Sequence, residues 1–525
     1  MREVLTLDCT LRDGGYCNKW HFKKENIKKI IAGLLNANVE IIECGFLSNK
    51  VVYNPEESIF TSVEQLGDFL PMSRGSNKFV LMMNYGQYDV ELLPLCKNAP
   101  IDGIRVAFHK KNMHKAIDVC KEIKKKGFQV YVQPMVSMSY SDGEFIELIE
   151  LVNELNPQAF YIVDSFGSMD EKSLNHYLKL VLKNLKKGIY LGFHAHNNLQ
   201  SAFSNARTLI EQMNMPNLIV DCSIYGMGRG AGNLNAELFL NELNKHEGKN
   251  YDIKPILKLM DEVINRFYEE RPWGYTLPNY LSAVHMTHPN YAGYLSDMNT
   301  LKVDDIDEIF SQMEDEKRLE YDEDYINQLY IQYMSAGDVR NERLSEISKA
   351  VANRKILLIA PGKKAITEKD KVIRFVEEEK PLIISINHDY PVVTPDYIFV
   401  SNKRRFSQIP DELLYKTITT SNIKTQDTFA SVDYYKLINT IETVKDNAAL
   451  MAMKFAITEL KVKELYMAGL DGYTNNVYEN FENRDMTIYG SEEFFERTND
   501  GIRRFISEYK EKVRIRFVTS SYIDL

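Results

Sequence analysis

The chain has 525 residues, 44% of them hydrophobic and 26% charged, with a formal net charge of −10. That composition excludes dominant disorder or a collagen-like repeat and leaves room for about two to four domains. The acidic balance argues against a general nucleic-acid binder. With no signal-peptide-like start and no run of 18 apolar residues, no membrane association and a cytoplasmic location are expected.

Short apolar runs recur through the first 235 residues, at Val4–Asp8, Glu40–Gly45, Phe79–Asn84, Gly103–Phe108, Phe128–Gln133, Phe160–Asp164, Ile189–His194 and Leu218–Ile224. Between them lie amphipathic stretches. Glu25–Asn38 carries Ile27, Ile30, Ile31, Leu34 and Leu35 at helical spacing, and Lys110–Lys126 carries Met113, Ile117, Cys120 and Ile123 with its lysines opposite. Continuous apolar strands alternating with helices indicate a parallel sheet buried on both faces. Eight such units fit a TIM (β/α)8 barrel, with an open doubly wound sheet as the alternative.

Residues 251–350 read as a helical extension contributing to the active site, with helices at Ile253–Glu270, Asp304–Glu314 and Glu323–Ser335 and a charged connecting or exposed segment at Glu314–Glu323. Residues 351–525 read as a Rossmann-like α/β domain. Its strands are expected at Lys355–Ala360, Leu382–Asn387, Asp396–Ser401, Glu464–Ala468 and Val513–Val518, with a helix at Asn447–Thr458. The two ends of the chain differ in kind: nine of ten histidines precede residue 300, and none of the six cysteines follows Cys222. Lacking a CxxC pair, those cysteines read as reduced thiols.

Three segments carry chemistry. Thr10-Leu11-Arg12-Asp13-Gly14-Gly15 follows the first strand, where barrel active sites sit, although Asp-Gly-Gly is also ordinary turn chemistry. His194-Ala195-His196-Asn197 closes the seventh strand; residues i and i+2 face one side, so both imidazoles can reach one ion, with Asp13 converging from the first strand. Gly226-Met227-Gly228-Arg229-Gly230-Ala231-Gly232-Asn233 follows the eighth strand. It can cradle an anion at a helix N-terminus or let the backbone approach a ligand closely, and Asn233 can ligate a metal or cap the helix.

Together these motifs resemble the DRE-TIM metallolyases, the HMGL-like or pyruvate carboxyltransferase superfamily, over roughly residues 1–290, and the 4-hydroxy-2-oxovalerate aldolase-like members above all. The Asp-Arg-Glu set corresponds to Asp13, Arg12 and Glu43. The resemblance implies a divalent metal, Mn or Mg and in some members Zn, on Asp13, His194 and His196, with Asn233 as a further ligand. It implies lyase chemistry that makes or breaks a C–C bond through the enolate of a pyruvate-type 2-oxo acid, an aldehyde being the second substrate. Arg12 would hold the developing oxyanion, and Glu43 would orient Arg12 or a metal-bound water, or form only a strand-end ion pair. A homo-oligomer is expected, with a dehydrogenase as a possible partner. The alternatives are a Claisen condensation of an acyl-CoA with a 2-oxo acid, and a non-catalytic ligand-binding barrel.

The sequence departs from the aldolases where they carry a histidine three residues after the aspartate, since Tyr16 stands there. The base is therefore open among His21, Tyr16, Tyr275, Tyr280, His285, His288 and Tyr291. Arg105, Ser137 and Tyr291 are candidates for substrate binding, with Ser139, Asp164 and Ser165 as strand-end alternatives. The C-terminal domain is faintly similar to MptE/DUF115-type Rossmann domains. Its strand ends at Pro361-Gly362 and Gly469–Asp471 suit a nucleotide or sugar phosphate, or the domain serves docking alone.

Overall fold

The computed structural model describes residues 2–523 apart from 73–74, 213–215, 299, 353, 489 and 491. The chain forms two compact units, one of Met1–Gly293 with Glu314–Tyr321 and one of Tyr294–Met313 with Asp322–Leu525.

The first unit is a closed barrel of eight parallel strands: β1 (Val4–Asp8), β2 (Ile41–Leu47), β3 (Lys78–Asn84), β4 (Gly103–Phe108), β5 (Gln129–Pro134), β6 (Ala159–Asp164), β7 (Tyr190–Ala195) and β8 (Leu218–Cys222). Each pairs with its neighbour in sequence, and β1 closes the ring by pairing with β8 (Val4 opposite Leu218) and with β2 (Leu7 opposite Ile41). The expected barrel is thereby borne out and the alternative open sheet excluded. A two-residue strand, Ile59–Phe60, adds to β2 at Phe46 and Leu47.

The apolar runs are continuous because each strand is buried on both sides. Leu7, Ile41, Val80, Tyr131, Tyr161, Val163 and Ile219 fill the barrel interior. Ile42, Leu81, Ile104, Val132, Ile162 and Phe193 face the surrounding helices. The helix Lys24–Asn36 buries Ile27, Ile30, Ile31 and Leu34, and Met113–Lys125 buries Met113, Ala116, Ile117, Cys120 and Ile123 while its lysines stay outside. Each isoleucine, leucine and methionine among them contributes about 1.5–3 kcal/mol by leaving water. A bulge in β2 after Glu43 is met at Gly45, where φ is 144° and a Cβ would stand 2.0 Å from the Ser58 carbonyl oxygen, so only glycine fits.

Residues 254–270 keep one apolar stripe through an α-helix, a single π-helical turn at Met260–Ile264 and a second α-helix. The charged segment after Met313 returns to the barrel unit: the buried Tyr291 hydroxyl lies 2.8 and 2.7 Å from the carbonyls of Lys317 and Glu320.

The second unit carries a seven-stranded, all-parallel sheet: β9 (Ile356–Ile359), β10 (Leu382–Ile386), β11 (Tyr397–Val400), β12 (Thr417–Thr420), β13 (Ala430–Val432), β14 (Glu464–Ala468) and β15 (Arg514–Phe517). The order is β13-β12-β11-β10-β9-β14-β15, so the winding reverses at β9, which pairs with β10 on one side and β14 on the other. The strands β12 and β13 have no counterpart in the apolar runs because β12 is built of Thr417, Ile418, Thr419 and Thr420. Its threonines are fully buried, and Thr417 Oγ1 donates to the Leu413 carbonyl at 2.9 Å. Among the described residues no helix is long and apolar enough to cross a membrane, and the six cysteines are free thiols.

Candidate metal centre

The end of β1 is built by short-range hydrogen bonds. Asp8 accepts from the Thr10 amide at 2.9 Å and the Thr10 hydroxyl at 3.0 Å, and that hydroxyl accepts from the Ile224 amide beyond β8 at 2.8 Å. This starts a single helical turn, Thr10–Asp13. The Leu11 carbonyl takes a bond from Ser58 Oγ at 2.6 Å and the Arg12 carbonyl one from Trp20 Nε1 at 2.7 Å. Arg12 and Asp13 are thereby pinned at the mouth of the barrel. Burial lifts the Asp8 carboxyl to about 7.

His194 lies in the last turn of β7, and the His196 amide donates to the Asp164 carbonyl at 3.1 Å. Their rings stand 5.2 Å apart, nearly perpendicular. One ligand-type atom from each of Asp13, His194 and His196 lies within 4.8 Å of the others, and all three residues are buried. His194 Nδ1 sits 3.0 Å from Asp221 Oδ2, which leaves Nε2 as its ligand atom and fixes the ring, as a carboxylate commonly does behind a metal-binding imidazole. His196 Nε2 is 3.7 Å from Asp13 Oδ2, and burial, opposed in part by Asp13, lowers its pKa to about 3, so the ring is neutral and able to coordinate.

Beneath the cluster runs a chain of buried charge. Arg12 Nε donates to Glu43 Oε2 at 2.8 Å, its NH1 pairs with Asp13, and its NH2 has no protein partner. Arg105, fully enclosed, places NH1 2.8 Å from the same Glu43 oxygen and pairs through NH2 with Asp221. The Tyr161 ring lies 4.9 Å away. Burial alone would raise these carboxyls, but Arg12, His196 and His194 hold Asp13 well below the usual range, and Arg105 and His194 lower Asp221.

The glycine-rich segment is a close-approach loop. Asn233 Nδ2 donates to Asp13 Oδ2 at 2.7 Å and to the Met227 carbonyl at 3.1 Å, leaving Oδ1 buried and unpartnered. A Cβ at Gly228 would stand 2.2 Å from Asn233 Nδ2 and 2.7 Å from Asp13 Oδ2. The helix that follows starts only at Ala236. Two imidazoles, a carboxylate kept ionised, and the orphaned Asn233 Oδ1 and His196 Nδ1 make a donor set that fits a divalent cation with positions left open.

Other expected residues stand elsewhere. His21 is exposed, with its amide on the Asn18 carbonyl. Tyr275 and Tyr280 are exposed and face each other at 6.5 Å. The His285 carbonyl accepts from Arg318 at 2.7 Å. Ser137 joins strands, accepting from the Val163 amide at 2.8 Å, and Tyr291 secures Lys317 and Glu320, so both are spent on the fold. Arg105 likewise has no surface to offer a substrate. Ser139 bonds the Val136 carbonyl, and Asp164 caps the amides of Ser168 and Met169. Two residues escaped the sequence reading. Asp221 is signalled only as a carboxylate inside an apolar strand, and Arg229 as the single cation of the glycine-rich run.

Residues 105–263 match the HMGL-like family. The barrel holds an HMGL-like domain. The chain is 28% identical over 244 residues, 46% of this chain and 68% of the relative, to 4-hydroxy-2-oxovalerate aldolase 4 of Paraburkholderia xenovorans. It is 27% identical over 250 residues, 46% of this chain and 71% of the relative, to 4-hydroxy-2-oxovalerate aldolase of Geobacillus genomosp. 3. Among solved structures, the N-terminal domain of a candidate aldolase from Bacteroides vulgatus aligns with a TM-score of 0.47 at 29% identity, covering 57% of this chain and 98% of that one. The HMG-CoA lyase of Brucella melitensis aligns at 0.41 and 16%, covering 51% of this chain and 98% of that one.

Proposed function

We propose that the HMGL-like barrel is a divalent-metal-dependent aldolase or lyase that makes or breaks a C–C bond between a pyruvate-type 2-oxo acid and an aldehyde. The observation that carries this reading is the buried Asp13, His194 and His196 cluster beside an Arg12 NH2 group that no protein atom satisfies. Asp13, His194 and His196 would hold the cation, Mn or Mg, with Asn233 Oδ1 as a further donor, and the bound ion would supply Lewis acidity to a chelated 2-oxo acid.

The chain's own residues do the rest. Arg12 is clamped by Glu43 and Asp13, so its free N–H is aimed before substrate arrives and can donate to oxygen that gains negative charge. Permanent charge and a rigid fork suit Arg12 to that role better than a lysine. Glu43 serves as the anchor shared by Arg12 and Arg105, a positioning rather than a proton-transfer role. Asp221 holds the His194 ring in one orientation.

The test is exchange of the pyruvate methyl protons with deuterium, followed by NMR, with the purified protein and Mn2+. Exchange that stops on chelation and returns with Mn2+ is expected. Metal-loaded protein that leaves the methyl protons in place would overturn the reading.

A further inference from the structure

Arg229 and His288 are drawn together at the rim of the site, and their hydrogen bonding does not close. Arg229 NH1 lies 3.0 Å from His288 Nε2, while the Asn290 amide donates to His288 Nδ1 at 3.2 Å. A guanidinium and a backbone amide can only donate, yet a neutral imidazole accepts at one nitrogen and carries a proton on the other. Whichever tautomer is present, one ring N–H faces another donor. An oxygen that accepts from both Arg229 and His288 Nε2–H removes the conflict and leaves Asn290 on Nδ1.

The surroundings of Arg229 point the same way. In an acidic chain this half-buried guanidinium pairs with no carboxylate among the described residues, and its Nε is buried without a hydrogen-bond partner. Among the described residues its polar contacts are His288 and one long bond from NH2 to the Ser165 carbonyl, at 3.3 Å. The guanidinium lies 5.2 Å from the Tyr16 ring, and the His288 imidazole stands edge-on to Phe166 at 6.1 Å, so aromatic surfaces hold both groups in place. The positive charge acts on Asp13 and His196, which puts it beside the metal cluster without joining it.

We propose that Arg229 and His288 form an anion subsite for the acidic group, carboxylate or phosphate, of the aldehyde partner. The assignment rests on the aldolase reading above, in which the metal cluster takes the 2-oxo acid and so leaves this second anion site to the other substrate. Arg229 is the specificity-determining residue and His288 its co-donor.

Two measurements test it separately from the aldolase reading. In the metal-free protein, calorimetric titration with succinate and with inorganic phosphate should give saturable binding of one probe, which names the anion. That binding should weaken at least about tenfold in Arg229→Met and less in Arg229→Lys. Failure of both probes to bind, or equal binding by Arg229→Met, overturns the subsite. With Mn2+ and pyruvate, the unaltered protein should use succinic semialdehyde or glyceraldehyde 3-phosphate at least about tenfold better in kcat/KM than butanal or glyceraldehyde, and Arg229→Met should lose that preference. Pyruvate exchange without any preference for the charged aldehyde overturns the subsite alone. Absence of pyruvate exchange overturns the aldolase reading, while the binding titration still decides the subsite. Arg229→Lys and the unaltered protein keep the test decisive if Arg229→Met does not fold.

Discussion

In the barrel, two buried carboxylates sit against arginines, Glu43 between Arg12 and Arg105 and Asp221 between Arg105 and the His194 ring. In the second unit, the equivalent place beside β9 and β14 holds Asp471, bonded by the Lys364 amide at 2.7 Å but unpartnered at Oδ1, and Glu482, which faces His388 at 3.0 Å with its other oxygen unpartnered. The pKa directions follow. Asp13 and Asp221 are held low, while burial lifts Asp471 to about 6 and Glu482 to about 7. Burial penalises a charge in both places, and only a cation at contact distance offsets that cost. Where a cation stands at contact distance the barrel keeps a carboxylate ionised, whereas its own Asp8 and Asp164, which lack one, are lifted to about 7 and about 6 like the carboxyls of the second unit.

The contrast can be broken from the barrel side first. Replacing His194 and His196 together with alanine should abolish stoichiometric Mn2+ in dialysed protein, measured by elemental analysis, and with it pyruvate exchange. Arg12→Met should lower the exchange rate by about 10²–10³-fold, the loss typical of one preorganised donor to a developing oxyanion, with metal content retained. Arg105→Met leaves Glu43 and Asp221 facing each other without the cation between them. It should cost about 3–5 kcal/mol in denaturant unfolding of the barrel.

The smallest effect sharpens the other side. Asp471 has a folded pKa of about 6 against an ordinary 3.8, so the folded chain binds the proton more tightly than the unfolded one. Relative to the protonated state, its cost is absent below about pH 4, grows as pH rises from there to about 6, and is constant above that. Asp471→Asn should therefore stabilise the chain at pH 8, by at most about 3 kcal/mol, raising its melting temperature there and leaving it unchanged at pH 3.5.

The barrel was legible because its signal is local and repeated. Every one of the eight apolar runs became a strand, and Asp13, His194 and His196 could be brought together from strand position alone. Strand β12 was not, since buried threonines satisfied by carbonyls look like surface to any apolar count. The supporting residues were harder for a different reason. Asp221, Glu43 and Arg105 gain their roles from partners 27 to 116 positions away, and no spacing rule reports on whether a carboxylate meets its partner. Arg229 and His288 meet from two connections far apart in the chain, the glycine-rich loop and the link before the helix Pro289–Asp297. His21 looked close to Asp13 in sequence and is turned outward by the reversal at Lys19 and Trp20, both in the left-handed backbone region.

The pairing of β1 with β8 has a consequence for assembly. Asp13 follows the first strand, His194 and His196 end the seventh, and Asn233 follows the eighth, so the donors straddle the seam at which the ring is sealed. An ion held there would tie the two sides of that seam together. During synthesis Asp13 emerges long before His194, His196 and Asn233, so the complete donor set would exist only once the last strands of the ring are made.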